Sequence, residues 1–137
     1  MRISAARLGK LGEWFAPWLY RLRGYRVVGR NVRVGGGEVD LVVRRGRTLV
    51  IAEVKTRQSL AAGEGWEAVG PRKQRQLVRL GALLLARERR PVQLRYDVVS
   101  LYWNGWRFAV RLIPDAFSVG STSPTARTPA SAWHSAR

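Results

Sequence analysis

Apolar side chains recur at three- and four-residue intervals at Leu8, Leu11, Phe15, Leu19 and Leu22, the spacing of one buried helix face. This predicts a first helix over about residues 4–22, with Pro17 expected to kink or break it. Gly24 ends that pattern, and strand-like runs follow over residues 25–34, 38–44 and 47–56. Gly35-Gly36-Gly37 reads as a turn or flexible tip. A phosphate-cradling loop would need a helix directly after it, and a strand follows instead. After a loop with Gly63 and Gly65, Pro71 opens a second helix to about residue 89, with Leu77, Leu80, Leu84 and Leu85 as its stripe and Pro91 as its stop. Strands over residues 93–103 and 106–113 close the pattern around Asn104-Gly105, a type I′ hairpin signal. The order α-β-β-β-α-β-β puts antiparallel strands first and lets a crossover helix bring a later strand in parallel. The fold class is α/β: a mixed sheet flanked by helices, with an extra C-terminal strand. Residues 1–117 make one domain. Residues 118–137, rich in Ser, Thr, Ala and Pro and free of acids, read as a disordered tail. The single histidine, His134, lies in that tail as a solvated side chain.

Charge changes the picture most. The chain has 25 Lys and Arg against nine acids, a net charge of +16. Such a surface suits a polyanion, because binding releases condensed counterions. Nucleic acid is the commonest such partner, although anionic lipid or ribosomal RNA fits the same number. The chain has no cysteine, which excludes disulfides, thiolate metal sites and a cysteine nucleophile. Its apolar stretches are short and interrupted by arginine, so none is expected to span a membrane, and no leader pattern is recognisable. The expectation is a cytoplasmic protein.

The second and third strands carry the candidate chemistry. With Gly46-Arg47 as a two-residue type II′ loop, Asp40 falls opposite Glu53 and Glu38 opposite Lys55, all on one face. The other face carries Val39, Leu41, Val43, Val50, Ala52 and Val54. Val42, Leu49 and Ile51 share the acidic face, so that side is expected to be partly covered too. Two opposed carboxylates repel unless a cation lies between them. Mg²⁺, or Mn²⁺ in its place, is the natural occupant and would activate a water beside a scissile phosphate. Lys55 would position that water or stabilise developing charge. The plainer alternative is a Glu38–Lys55 salt bridge beside solvated acids. Against it stands the concentration of three of nine acids on one face of a cationic chain.

Arg72, Lys73, Gln74, Arg75 and Arg79 form a polar, mostly basic face on the second helix, and Arg33 and Arg57 lie near the acids. All seven are candidate nucleic-acid contacts, against the alternative of a solvated face. The tryptophans at 14, 18, 103 and 106 are candidates for stacking on unpaired bases. The plainer readings are core or dimer contacts for Trp14 and Trp18, and a cross-strand pair for Trp103 and Trp106.

Several runs are collinear with a known family: Gly24-Tyr25, Arg30-Asn31, Gly37-Glu38-Val39-Asp40-Leu41, Glu53-Val54-Lys55-Thr56-Arg57, Glu67-Ala68-Val69, Lys73-Gln74 and Arg95-Tyr96-Asp97-Val98-Val99. Over about residues 9 to 102 the chain resembles the YraN family of endonucleases. The resemblance implies the restriction-endonuclease-like fold, with an α-β-β-β-α-β core, and its PD-(D/E)xK motif. Asp40 would be the first acid, and Glu53 and Lys55 the second element. In the related Holliday-junction resolvases a glutamate of the first helix joins the metal site, and Glu13 after Gly12 stands at the matching place. Its alternative is a helix-surface charge. The chain departs from the family at Pro17 and at Ala52, where a bulkier residue is usual. The function this implies is metal-dependent hydrolysis of phosphodiester bonds in DNA, branched or single-stranded DNA among the substrates. The alternative is a non-catalytic nucleic-acid-binding module of the same fold. Cutting both strands of a duplex needs two sites, which makes a homodimer the expected assembly.

Overall fold

A computed structural model describes residues 4–57, 69–103, 105–117 and 134–136. Helix α1 (Ala5–Leu22) starts at Ser4, whose hydroxyl accepts a hydrogen bond from Arg7 N at 3.2 Å, satisfying one of the open donors of the first turn. The helix runs through Pro17 unbroken, so the expected break does not occur. Proline removes one amide donor, and the flanking turns, with Ala16 and Tyr20 buried against the sheet, hold the helix together. Gly24, at φ +84°, then turns the chain into β1 (Arg26–Val34).

Two tight hairpins follow. Gly35 and Gly36 both have positive φ (54° and 76°), as a type I′ turn requires, and lead into β2 (Gly37–Arg45). Gly46 alone is positive in the next turn (φ 59°), as a type II′ turn requires, and opens β3 (Thr48–Arg57). The β2–β3 register is the expected one from Arg45↔Thr48 to Leu41↔Ala52. Helix α2 (Pro71–Leu85) crosses over, and β4 (Gln93–Trp103) pairs with β3 in parallel from Thr48↔Gln93 to Arg57↔Tyr102. Strand β5 (Phe108–Phe117) returns antiparallel to β4. A three-residue β6 (His134–Ala136) pairs with the edge of β5. The strand order is β1-β2-β3-β4-β5-β6.

The two helices cover opposite faces. α1 places Leu8, Ala16 and Tyr20 over Leu41, Val43, Val50, Ala52, Val99 and Leu101. α2 places Leu77 and Leu80 over Val42, Leu49, Ile51, Tyr96 and Val98. β3 is therefore covered on both sides, as its nearly continuous apolar run implied. Gly12 sets how closely α1 approaches: a Cβ there would lie 2.5 Å from Thr56 Cγ2.

Five expectations need correction. Val39 packs with Val42 on the α2 side rather than with Leu41. Residues three apart share a face only if the alternation breaks between them, and it breaks at Asp40. Helix α2 ends at Leu85, short of residue 89, as the chain turns to put Glu88 against Arg44. The last hairpin closes at Trp103↔Phe108, two residues later than the expected Trp103–Trp106 pair. Trp103 thus meets Phe108, at 4.2 Å between ring centroids, while Trp106 is 90% exposed. Trp14 and Trp18 are exposed too and take no part in the core. Finally, His134–Ala136, read as part of a disordered tail, pair as a strand. The rest of that stretch lies outside the described residues, as does the loop with Gly63, Gly65 and Glu67.

Candidate active site

Pairing of β2 with β3 stops at Leu41↔Ala52, one residue short of the two acids. Beyond that point the amide of Val54 donates to Asp40 Oδ2 at 2.9 Å. A side-chain carboxylate has replaced the backbone acceptor, which satisfies the amide while the strands part. Opposite Asp40 on β1, Asn31 adopts φ +48°, a left-handed conformation that asparagine tolerates. The fork holds the half-buried Asp40 beside Glu53.

Glu53 is 3% exposed. Its Oε1 lies 3.5 Å from Lys55 Nζ and 3.6 Å from Lys73 Nζ, while its Oε2 is buried without a hydrogen-bond partner. Burial, and secondarily the charge of Asp40, push the Glu53 carboxyl up from 4.5 to about 7, against the opposing pull of Lys73 and Lys55. Asp40, Glu53 and Lys55 thus come together as expected. The expected Glu38–Lys55 pair does not form: Glu38 lies across from Arg33, 3.9 Å away, because the β2–β3 ladder ends before it would reach Glu38.

Glu13 is exposed on α1 and shares with Asp40 a cleft of about 220 Å³, lined also by Lys10, Trp14, Arg30 and Asn31. Among the described residues no three acidic or histidine side chains cluster closely enough to hold a metal. The acids next to each other are Asp40 and Glu53, with Glu13 on the outer rim of the cleft.

The polar face of α2 is divided. Arg72, Arg75 and Arg79 are exposed, and Arg79 Nη1 donates to Gly35 O at 2.9 Å. Lys73 turns inward to Glu53. Gln74 is 4% exposed and donates to Val69 O at 2.7 Å, so it is no surface contact for nucleic acid. Helical spacing carried the signal: Lys73 precedes Leu77 by four residues and Leu80 by seven, on the inward stripe. Arg33 is exposed beside Glu38, and Arg57 is half-buried at the end of β3, in register with Tyr102.

A second polar cluster escaped the sequence reading. Asp97, fully buried on β4, accepts from Tyr20 Oη at 2.8 Å, from Arg95 Nε and Nη2 at 2.9 Å each, and from Asp115 N at 3.0 Å. Burial, then Asp97, raises the Tyr20 hydroxyl well above its usual range. The hydrogen bond to Asp97 strengthens the hold of Arg95 on its proton. This network fastens α1 to the sheet. Its signal was the lone acid in the apolar run from Tyr96 to Leu101, two residues from an arginine on the same face. No described helix is long and apolar enough to cross a membrane.

The model of an uncharacterised protein family, UPF0102, matches residues 12–101. Three bacterial relatives, each named only as a UPF0102 protein, show how far the likeness extends. The chain is 47% identical to one from Parvibaculum lavamentivorans over 76% of this chain and 78% of the relative. It is 40% identical to one from Syntrophotalea carbinolica over 87% of this chain and 98% of the relative. To one from Symbiobacterium thermophilum it is 43% identical, over 81% and 96% respectively.

Proposed function

For this chain, which belongs to the uncharacterised family UPF0102, we propose the activity of a divalent-metal-dependent endonuclease of the PD-(D/E)xK type, acting on DNA in the cytoplasm. The observation that carries the reading is Glu53 Oε2, a buried carboxylate oxygen without a partner, beside Asp40 at the end of the β2–β3 ladder. A carboxylate oxygen buried without a hydrogen bond is costly even where lysines hold the other oxygen, and a hard cation on the two acids would relieve it. The donor set fits Mg²⁺ or Mn²⁺, which accept one or two carboxylates and retain waters. Asp40 and Glu53 would hold the ion, with Glu13 reaching it from the rim. Such an ion supplies Lewis acidity and lowers the pKa of a bound water.

The protein's own groups do the rest. Asp40 Oδ2 is held by Val54 N, which fixes the carboxylate and leaves its other oxygen the freer one to meet a ligand. The Lys55 side chain is 36% exposed, which lets its ammonium reach a phosphoryl oxygen and stabilise the charge that develops there. Lys73, from α2, offsets the charge of Glu53 at the same oxygen. Exposed Arg72, Arg75 and Arg79 lie where a phosphate backbone would pass.

One observation favours a second reading, a binding module of the same fold that does not cut: two lysines already share Glu53 Oε1.

Cleavage of duplex, single-stranded, flapped and four-way DNA, and of RNA, separates the two readings. Each substrate is tested with Mg²⁺, Mn²⁺ or EDTA, for the unaltered chain and for Asp40→Ala, Glu53→Gln and Lys55→Ala. Metal-dependent cutting that falls by about 10²-fold or more in every variant supports the nuclease. Cutting that persists in the variants or in EDTA overturns it. Tight binding without cutting leaves the binding module.

A further inference from the structure

The end of the sheet remote from the acids carries a cleft of about 800 Å³, within the size range of ligand sites. Its lining includes Arg26, Arg44, Arg47, Arg87, Arg89 and Arg90. The one acid among its lining residues, Glu88, is held by Arg44. Four separate segments contribute: the start of β1, the end of β2, the β2–β3 turn and the connection from α2 to β4. The C-terminal end of α2 favours nearby cations through the helix dipole. That accounts for a charge or two beside the helix, not for arginines brought in from β1 and the hairpin turn. At the turn itself, Gly46 has nothing within 4 Å of where a Cβ would be, so a ligand can approach the backbone closely.

We propose that this cleft is a second binding site for the phosphate backbone of nucleic acid, distinct from the acidic site and holding the part of the polymer that is not at the acids. Arginine suits the role because its planar fork bonds two phosphate oxygens at once. The layout favours a polymer over a small polyphosphate. From Arg47 to Glu53 along β3 is about 20 Å at the rise of a strand, or roughly six base pairs of duplex. Helix α2 links the two ends, with Lys73 at the acids and the chain beyond Leu85 in the cleft, and its exposed Arg75 and Arg79 come between them along the helix. The inference rests on the nucleic-acid half of the proposed function and not on cutting.

The test is equilibrium binding of a labelled DNA duplex long enough to cover both ends of the sheet, by fluorescence anisotropy in EDTA over a range of salt. Each lost phosphate contact lowers the slope of log affinity against log salt by about 0.9. The triple variant Arg47→Ala, Arg89→Ala, Arg90→Ala is expected to lower that slope by about 2 to 3 and to weaken binding more than tenfold at low salt. The corresponding triple change to lysine, which keeps the charge, should retain most of the slope. An equal loss of charge on and just after α1 (Arg7→Ala, Arg21→Ala, Arg23→Ala) should change it by less than one. The proposal is overturned if the cleft variant keeps the original slope, or if the α1 variant loses as much. It is equally overturned if inorganic triphosphate occupies the cleft while the DNA slope stays unchanged. Because EDTA removes metal-dependent cutting, an inactive protein that still binds through the cleft would refute only the nuclease reading. DNA binding with an unchanged slope would refute only this one.

Discussion

Replacing Glu53 by glutamine should make the metal-free protein more stable, and only above a defined pH. The folded chain holds the Glu53 proton up to about pH 7, whereas an ordinary glutamate releases it near 4.5. Below 4.5 both folded and unfolded chains carry the proton, and burial costs little. Between the two values the folded state binds more protons than the unfolded one, so stability falls as pH rises. Above 7 both states are ionised and the full penalty is present. A displacement of that size corresponds to about 3 kcal/mol. Glutamine fills the same space without the charge. Glu53→Gln should therefore match the unaltered chain near pH 4.5 and exceed it by about 2–3 kcal/mol at pH 8. The attraction of Lys55 and Lys73 is already contained in the displacement. Urea unfolding in EDTA at a series of pH values measures this difference, and subtraction removes every titrating group that does not interact with Glu53. A difference that stays flat between pH 4.5 and 8 would refute the reasoning. Mg²⁺ should then stabilise the unaltered chain at pH 8, by about 2.7 kcal/mol at a hundredfold excess over its dissociation constant, and leave Glu53→Gln unchanged.

Two further predictions concern the frame around the site. Asp97→Ala strands Arg95, the Tyr20 hydroxyl and the Asp115 amide, and should cost about 3–5 kcal/mol, whereas Tyr20→Phe removes one bond to a charged group and should cost about 1.5–3 kcal/mol. A loss below about 1 kcal/mol in Asp97→Ala, measured by urea unfolding, would show the network to be dispensable. Gly12→Ala forces a methyl against Thr56 Cγ2 and should destabilise by about 1–3 kcal/mol. Adding Thr56→Ser, which deletes that methyl, should restore most of the loss, and a double-mutant cycle with no coupling would exclude the close approach.

The sequence disclosed the site where its logic was local. Asp40, Glu53 and Lys55 belong to one hairpin, and turn chemistry at Gly46 was enough to bring them near one another. The reasoning failed where a side chain took over a backbone role. Asp40 ends the ladder by accepting from Val54, which breaks the alternation and sends Val39 to the other face, and no period in the sequence announces that substitution. Gln74 was misplaced for a different reason. Its polarity suggested solvent, although its spacing from Leu77 put it on the inward stripe. The Asp97 network needed tertiary knowledge, because Tyr20 lies far away in the chain. The Trp103–Phe108 pair shows a strong turn dipeptide yielding to the packing of two rings.

The parallel pairing of β3 with β4 has a consequence for how the chain is made. β3 sits at the centre of the finished sheet, yet β4 is synthesised only after the whole α2 crossover. At about 5–20 residues per second, β3 spends seconds as an exposed edge with apolar side chains on both faces. Such edges invite pairing with neighbouring chains. Arg47 just before β3, and Lys55 and Arg57 at its other end, are placed where gatekeeping charges interrupt that kind of association. On this view part of the basic character of the chain serves the nascent polypeptide, before there is a folded surface for any partner to meet.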